Sequence, residues 1–429
     1  MKRRIVGAVL TALLCLPAMV YSYPLDGYND TGIRRVEGFR LMTEGKIKGH
    51  KQPPGARLST EQVDLRLLDR KEMNLPPPDP EFTAQIRKLL GKHADRYGIS
   101  VLDLSDKDNP RYAEWRGDYR QNVGSVGKII GALGFFQALA DTWPGDLKKR
   151  EEILRNTTVT ADSFSHGDHH KIKLFNLETQ KLLRRPVRNG DQGNLWEWLD
   201  WMLSVSSNAA AAMVMREAML LRHFGKDYPV SEEQIQKFFK ETPKKELTKL
   251  FRQTFWEPVT RNGLDIDQLR QGSFFTAQGK RNVYGGGNSY GTSRELMKLV
   301  LRMEQGRLVD EWTSRNLKRL LYMTEHRIRY ASSPALKDAA VYFKSGSLYS
   351  CDRKNPMPCG KYKGTGKNYM NSVAIIESPA GDYRLHYVVT LISNVLGKNS
   401  AVDHQTLATR IHRLIEAAHP VAETPSEKN

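Results

Sequence analysis

Apolar positions along the chain switch between two periods, and the switches divide it. From Phe82 to Tyr97 they recur at helical spacing. "GISVLDLSD", Gly98 to Asp106, reads as a strand with Ile99, Val101 and Leu104 as core candidates. Asp108-Asn109-Pro110 makes a turn, and Arg111–Arg120 is the returning strand of a hairpin. Helical periods fill the middle: Leu195–Leu221, Ser231–Lys240, Lys244–Trp256, Ser293–Arg307 and Glu311–Met323, with "YGGGNSYG" (Tyr284–Gly291) as a loop. Strands return at Val341–Lys344, Ser372–Glu377 and Arg384–Ser393, and a helix from Val402 to Ala418 follows. Strands at both ends joined by hairpin-like connections, with helices between, predict an α+β fold on a largely antiparallel sheet.

The flanks read differently. Residues 23–75 are polar, basic and irregular, with a short helix expected at Thr60–Arg70, and "LPPPDP" (Leu75–Pro80) reads as a stiff linker. Residues 23–80 are therefore an extension, too small and polar for a core of its own, expected to drape over the main domain or meet a partner. The main domain spans 81–419, with an insertion at about 145–190, and 420–429 is a tail. At the start, Lys2, Arg3 and Arg4 precede an apolar stretch, Ile5 to Val20, broken by Pro17. This predicts a secretory signal peptide, residues 1–22, cut after Ser22, a periplasmic or secreted protein, and no membrane span once it is removed.

Composition narrows the partners. Apolar residues at 39% and charged ones at 27% are those of a globular protein with a sizeable core. The net charge of +18 implies attraction to anionic surfaces, for which nucleic acid, acidic lipid and an anionic cell-envelope polymer all qualify. The basic residues are scattered and form no nucleic-acid module, so nucleic acid is not expected. Cys351 and Cys359 flank "DRKNPMP" and predict one disulfide in an oxidising compartment; two sulfurs alone make a poor zinc site. "SHGDHHK" holds His166, Asp168, His169 and His170, but adjacent histidines in a polar loop seldom converge, so a solvated loop and no metal are expected. The glycines of "YGGGN" lack the setting of a phosphate loop.

The chemistry starts in "QNVGSVGKIIGALGFF", where Ser125 lies three residues before Lys128. On a helix these positions share a face. A serine needs a base within hydrogen-bond reach, and a lysine serves only if burial or a second cation lowers its pKa. Two further segments follow: Ser206-Ser207-Asn208 heads an alanine-rich helix, and Lys344-Ser345-Gly346 sits on a strand.

Ser-x-x-Lys, Ser-x-Asn and Lys-(Ser/Thr)-Gly, in that order, resemble the motif set of the class A β-lactamase and penicillin-binding serine hydrolase family. The resemblance runs from about Phe82 to Ala418 and implies a β-lactamase/transpeptidase-like fold: a five-stranded, mainly antiparallel sheet flanked by helices, with an all-helical subdomain. It implies that Ser125 is acylated and that Lys128 is the base or part of its relay. Ser206 would pass a proton to the leaving nitrogen, and Asn208 would orient the substrate amide and Lys128. Lys344 and Ser345 would meet a substrate carboxylate, and Gly346 would let substrate approach. The Ser347 N–H would join that of Ser125 in an oxyanion hole. The family's deacylating glutamate has its nearest echo in "WEPVTRN", with Glu257 and Asn262 one residue too far apart. The expected activity is that of a class A-like β-lactamase or a related serine hydrolase, on a β-lactam or the D-Ala-D-Ala end of a wall peptide, handled without a cofactor. The alternatives are a D,D-peptidase and a sensor that is acylated without turnover.

Overall fold

The computed structural model describes residues 24–322 and 327–421. The expected signal peptide and most of the expected tail lie outside them. Helices α1 (Tyr28–Thr31) and α2 (Arg34–Thr43) precede α3 (Pro80–Leu90), which leads into strands β1 (Tyr97–Asp103) and β2 (Arg111–Trp115). Helices α4 (Lys128–Thr142) and α5 (Leu147–Asn156) follow, then short strands β3 (Thr158–Thr160), β4 (Lys171–Asn176), β5 (Lys181–Pro186) and β6 (Gln192–Asn194). The helical region continues with α6 (Leu195–Leu203), α7 (Asn208–Phe224), α8 (Glu232–Glu241), α9 (Lys244–Phe255) and α10 (Glu257–Arg261). Next come β7 (Leu269–Arg270), α11 (Ala277–Asn282), β8 (Tyr290–Gly291), α12 (Ser293–Glu304) and α13 (Glu311–Leu321). Strands β9 (Ala340–Ser350), β10 (Lys367–Ser378) and β11 (Leu385–Asn394) and helix α14 (Ser400–Ala418) complete the fold.

The main sheet has the order β2-β1-β11-β10-β9, antiparallel throughout. This is the five-stranded sheet that the resemblance implied. Alternate residues feed two cores. On one face Leu102, Val373, Ile375 and Val388 join the large core of the helical region. On the other, Ile99, Val101, Ala374 and Val389 pack with α3 and α14. Helix α4 is buried without a break from Lys128 to Ala140, because helices surround it. A Cβ at Gly134 would lie 2.6 Å from the Phe255 ring, so the glycine lets α9 close on α4.

Several local expectations differ from the structure. Thr60–Arg70 forms turns and a single 3₁₀ turn, Leu68–Arg70, instead of a helix. Its apolar residues Val63 and Leu67 are fully buried in the large core, so they follow the surface beneath them and not a helical period. The predicted helix at Leu195–Leu221 is two helices, broken where Ser206 takes a left-handed φ of 63°. The strand expected to run to Arg120 ends at Trp115, and Arg116 has a φ of 47°.

Residues 24–67 are tied into the main domain by charge as well as packing. Arg34 pairs with Glu197 at 2.8 Å, and Arg35 pairs with Asp200, both on α6. Arg66 pairs with Glu377 on β10 at 3.1 Å. Lys318, wholly buried, lies 2.7 Å from both Glu304 and Glu377 and donates to the Asp64 carbonyl at 2.7 Å. Cys351 and Cys359 are joined by a disulfide that closes the loop after β9.

Candidate active site

Four elements converge on Ser125. The 3₁₀ turn Gly124–Gly127 carries the nucleophile candidate at the entry to α4, where it is half-buried and reachable. Lys128 opens α4, and its Nζ lies 3.0 Å from Ser125 Oγ. The turn between α6 and α7 brings Ser206 and Asn208. Strand β9 brings Lys344, Ser345, Gly346 and Ser347.

Lys128 is fully buried. Its Nζ also lies 2.6 Å from the Ser206 carbonyl and 2.7 Å from Asn208 Oδ1, both pure acceptors, and 3.3 Å from Ser206 Oγ. Burial lowers its pKa to about 7; Asp168 opposes the shift and Arg329 adds to it. A neutral amine here donates its two hydrogens to the Ser206 carbonyl and Asn208, and its lone pair is left for the Ser125 hydroxyl. The Phe275 ring centroid lies 4.9 Å from Nζ.

Lys344 is also buried, and its Nζ lies 2.8 Å from Ser206 Oγ. Burial, then the Lys128 and Arg329 charges, push its pKa well below the ordinary lysine value. The left-handed backbone at Ser206 places its carbonyl and hydroxyl on the same amine. Ser207 caps α7 through Ala210 N, which fixes Asn208 at the first position of that helix.

Strand β9 passes tightly under the nucleophile turn. A Cβ at Gly346 would collide with the Val123 carbonyl and lie 2.6 Å from Ser125 N. A Cβ at Gly124 would lie 3.3 Å from Ser347 N. The Ser125 and Ser347 amides therefore sit at one junction, the placement an oxyanion hole requires.

Arg329 went unnoticed in the sequence. Its guanidinium donates to Ser345 Oγ at 2.6 Å, and to Ser347 Oγ and the Tyr362 hydroxyl at 3.1 Å each. It precedes β9 in a 3₁₀ turn with a φ of 53°, so its place depends on a backbone bend without a motif. Ser345, Ser347 and Arg329 together form a donor cluster suited to a carboxylate.

Asp168 departs from the solvated-loop expectation, while His166, Gly167, His169 and Lys171 around it are exposed as expected. Its side chain is 2% exposed, and its Oδ2 accepts from Ser207 Oγ at 2.8 Å and Ala209 N at 3.0 Å. Through this carboxylate the insertion, otherwise largely exposed, reaches back to the site. Strands β4 and β5 form a hairpin within it.

Glu257 makes no hydrogen bond to Ser125, Lys128 or Ser206 among the described residues. It is exposed at the start of α10, and the end of that helix is bound by Arg261 to Asp141, near the end of α4. Asn262 is committed elsewhere: it donates to the Gln137 side chain and the Pro258 carbonyl and accepts from Val309 N. Among the described residues, no carboxylate hydrogen-bonds Ser125 or Lys128.

A search of curated proteins finds no match. Among solved structures, PBP-A aligns with 80% of this chain and 100% of its own at 14% identity and a TM-score of 0.47. A β-lactamase from Sphaerobacter thermophilus aligns with 79% of this chain and 97% of its own at 13% identity and a TM-score of 0.48. The TLA-3 extended-spectrum β-lactamase aligns with 78% and 98% at 12% identity and a TM-score of 0.49. The family model of the beta-lactamase enzyme family matches residues 81–408, and the chain belongs to that family.

Proposed function

We propose that the protein is a secreted serine hydrolase that forms an acyl-enzyme on Ser125 with β-lactams or with D-Ala-D-Ala-type wall peptides. The observation that carries this reading is the Lys128 amine, buried, titrating near neutrality and 3.0 Å from the Ser125 hydroxyl. In acylation Ser125 Oγ attacks the amide carbonyl and gives its proton to Lys128. The oxyanion forms against the Ser125 and Ser347 amides. The leaving nitrogen takes a proton through Ser206 Oγ, which is 2.8 Å from Lys344. A carboxylate beside the scissile amide is held by Ser345, Ser347 and Arg329. Both substrate classes place a carboxylate there.

Deacylation needs a base for water. With Glu257 exposed and making no hydrogen bond to Ser125 or Lys128, and the Phe275 ring beside Lys128, that task falls to Lys128 itself. This favours an acylating enzyme with slow turnover, closer to a penicillin-binding D,D-peptidase or sensor than to a fast β-lactamase. Mixing the protein with a chromogenic cephalosporin tests it. One equivalent of rapid release followed by a slow steady rate, absent in Ser125→Ala, supports the reading. Fast sustained turnover makes it a β-lactamase, and no labelling of Ser125 removes it.

A further inference from the structure

The Ser-x-Asn segment lacks a charge. The family's motif has aspartate between the serine and the asparagine; this chain has Ser207. The carboxylate that meets this turn comes instead from Asp168, 39 residues away. Its Oδ2 binds Ser207 Oγ and Ala209 N, the residues on either side of Asn208. Its Oδ1 accepts from His170 N at 3.1 Å and lies 2.6 Å from His170 Nδ1. We propose that Asp168 is the displaced carboxylate of the motif, a positioning residue that fixes the Ser206–Asn208 turn and supplies the negative charge behind Lys128.

The proposal deepens the serine-hydrolase reading and rests on it for its catalytic meaning. Asp168 touches neither the nucleophile nor any group expected to meet substrate. It acts on Asn208 and Ser206, which hold the Lys128 amine. The surroundings of that amine set the sign of its electrostatic effect. Arg329 before β9 is the cationic group that, with burial, favours a neutral Lys128. Lys344 on β9 is itself pushed toward its neutral form, Phe275 is uncharged, and Asp168 is the group that opposes the shift. His170 and His169, stacked on it, are the titratable groups against Asp168. Burial works against the Asp168 charge, but the His170 and Ala209 hydrogen bonds outweigh it and hold the carboxyl well below its ordinary value. Asp168 is therefore ionised across the range in which Lys128 titrates.

Asp168→Asn keeps an oxygen for Ser207 and Ala209 and removes the charge. The ammonium form of Lys128 then loses its counter-charge and gives up its proton at lower pH. The direct measurement is the Lys128 titration in the free protein, followed through its 13Cε shift. Its midpoint should move from about 7 downward by roughly half to one pH unit. The acid limb of the Ser125 acylation rate should move with it, while the plateau falls. The Asp168→Asn/Ser207→Asp double variant, which returns the carboxylate to the motif, should move the midpoint back up. An unchanged midpoint in Asp168→Asn overturns the proposal, because a merely structural role lowers the plateau without moving the titration. If the single variant does not fold, a folded double variant with a midpoint near wild type supports the proposal and an unfolded one overturns it. Failure of any penicillin to acylate the wild-type protein would remove the proposed function, yet the titration would still decide the role of Asp168.

Discussion

Lys128 and Lys344 share one hydroxyl: Ser206 Oγ lies 3.3 Å from the first amine and 2.8 Å from the second. Two buried amines so close cannot both hold a proton cheaply, and the Lys128 charge lowers the affinity of Lys344 for one. Lys128, with its pKa near 7, is a base only when neutral. Acylation of Ser125 should therefore rise as pH increases through about 7. Lys128→Arg, which stays charged, should lose on the order of 10²- to 10⁴-fold in acylation rate. Time courses with a fluorescent penicillin across pH check both; a pH-independent rate would contradict the assignment.

Arg329→Ala should discriminate between substrates. Its guanidinium orients Ser345 and Ser347, so carboxylate-bearing substrates should lose about 1.5–3 kcal/mol of binding, the worth of hydrogen bonds to a charged group. Neutral esters should lose much less. Parallel kcat/KM measurements on a penicillin and a simple ester read the difference, and equal losses would remove the carboxylate role.

Gly346→Ala should separate β9 from the nucleophile turn. The added methyl collides with the Val123 carbonyl and presses on Ser125 N, neither of which can rotate away. A drop of about 10²-fold or more in acylation follows if the Ser347 amide is displaced from the oxyanion junction. The measurement is acylation rate against unfolding midpoint, and an active, stable variant would show that the junction has slack.

Glu257→Gln should leave the rate of acyl-enzyme hydrolysis within experimental error of wild type, because the carboxylate is exposed on α10. Release of a bound penicilloyl group, followed by intact mass, is the measurement. Marked slowing would return Glu257 to the mechanism.

Lys318→Ala should be among the most destabilising single changes. It leaves the fully buried Glu304 and Glu377 carboxylates facing each other, at a cost of about 3–5 kcal/mol. Urea unfolding reads this directly. A loss under 1 kcal/mol would mean that the cluster rearranges or takes up water.

The residues that converge on Ser125 were legible in the sequence because their spacing is local. Ser125 and Lys128 are one helical turn apart, and Ser206 and Asn208 flank a single residue. Arg329 and Asp168 were not. Each reaches the site through tertiary folding, one from a bend before β9 and the other from an insertion, and neither carries a spacing that marks it. Ser207 was the available clue: a serine at the middle of the motif leaves a missing charge that the fold must supply elsewhere. The expectation for Glu257 rests on a short sequence echo, which says nothing of whether the carboxylate turns to solvent, as it does on α10. Val63 and Leu67 misled, since an extension laid over a core borrows its apolar spacing from the surface it covers.

The reach of Arg66 to Glu377 spans 311 positions of sequence, and β1 is hydrogen-bonded to β11 from the opposite end of the chain. Made from its first residue onward, the polypeptide holds Arg66 without a counter-ion, and β1 without an inner neighbour, until nearly all of it exists. Assembly of the reaction centre is thus a late and collective event, and a chain stopped short of β11 should be chemically silent however well its middle helices have formed.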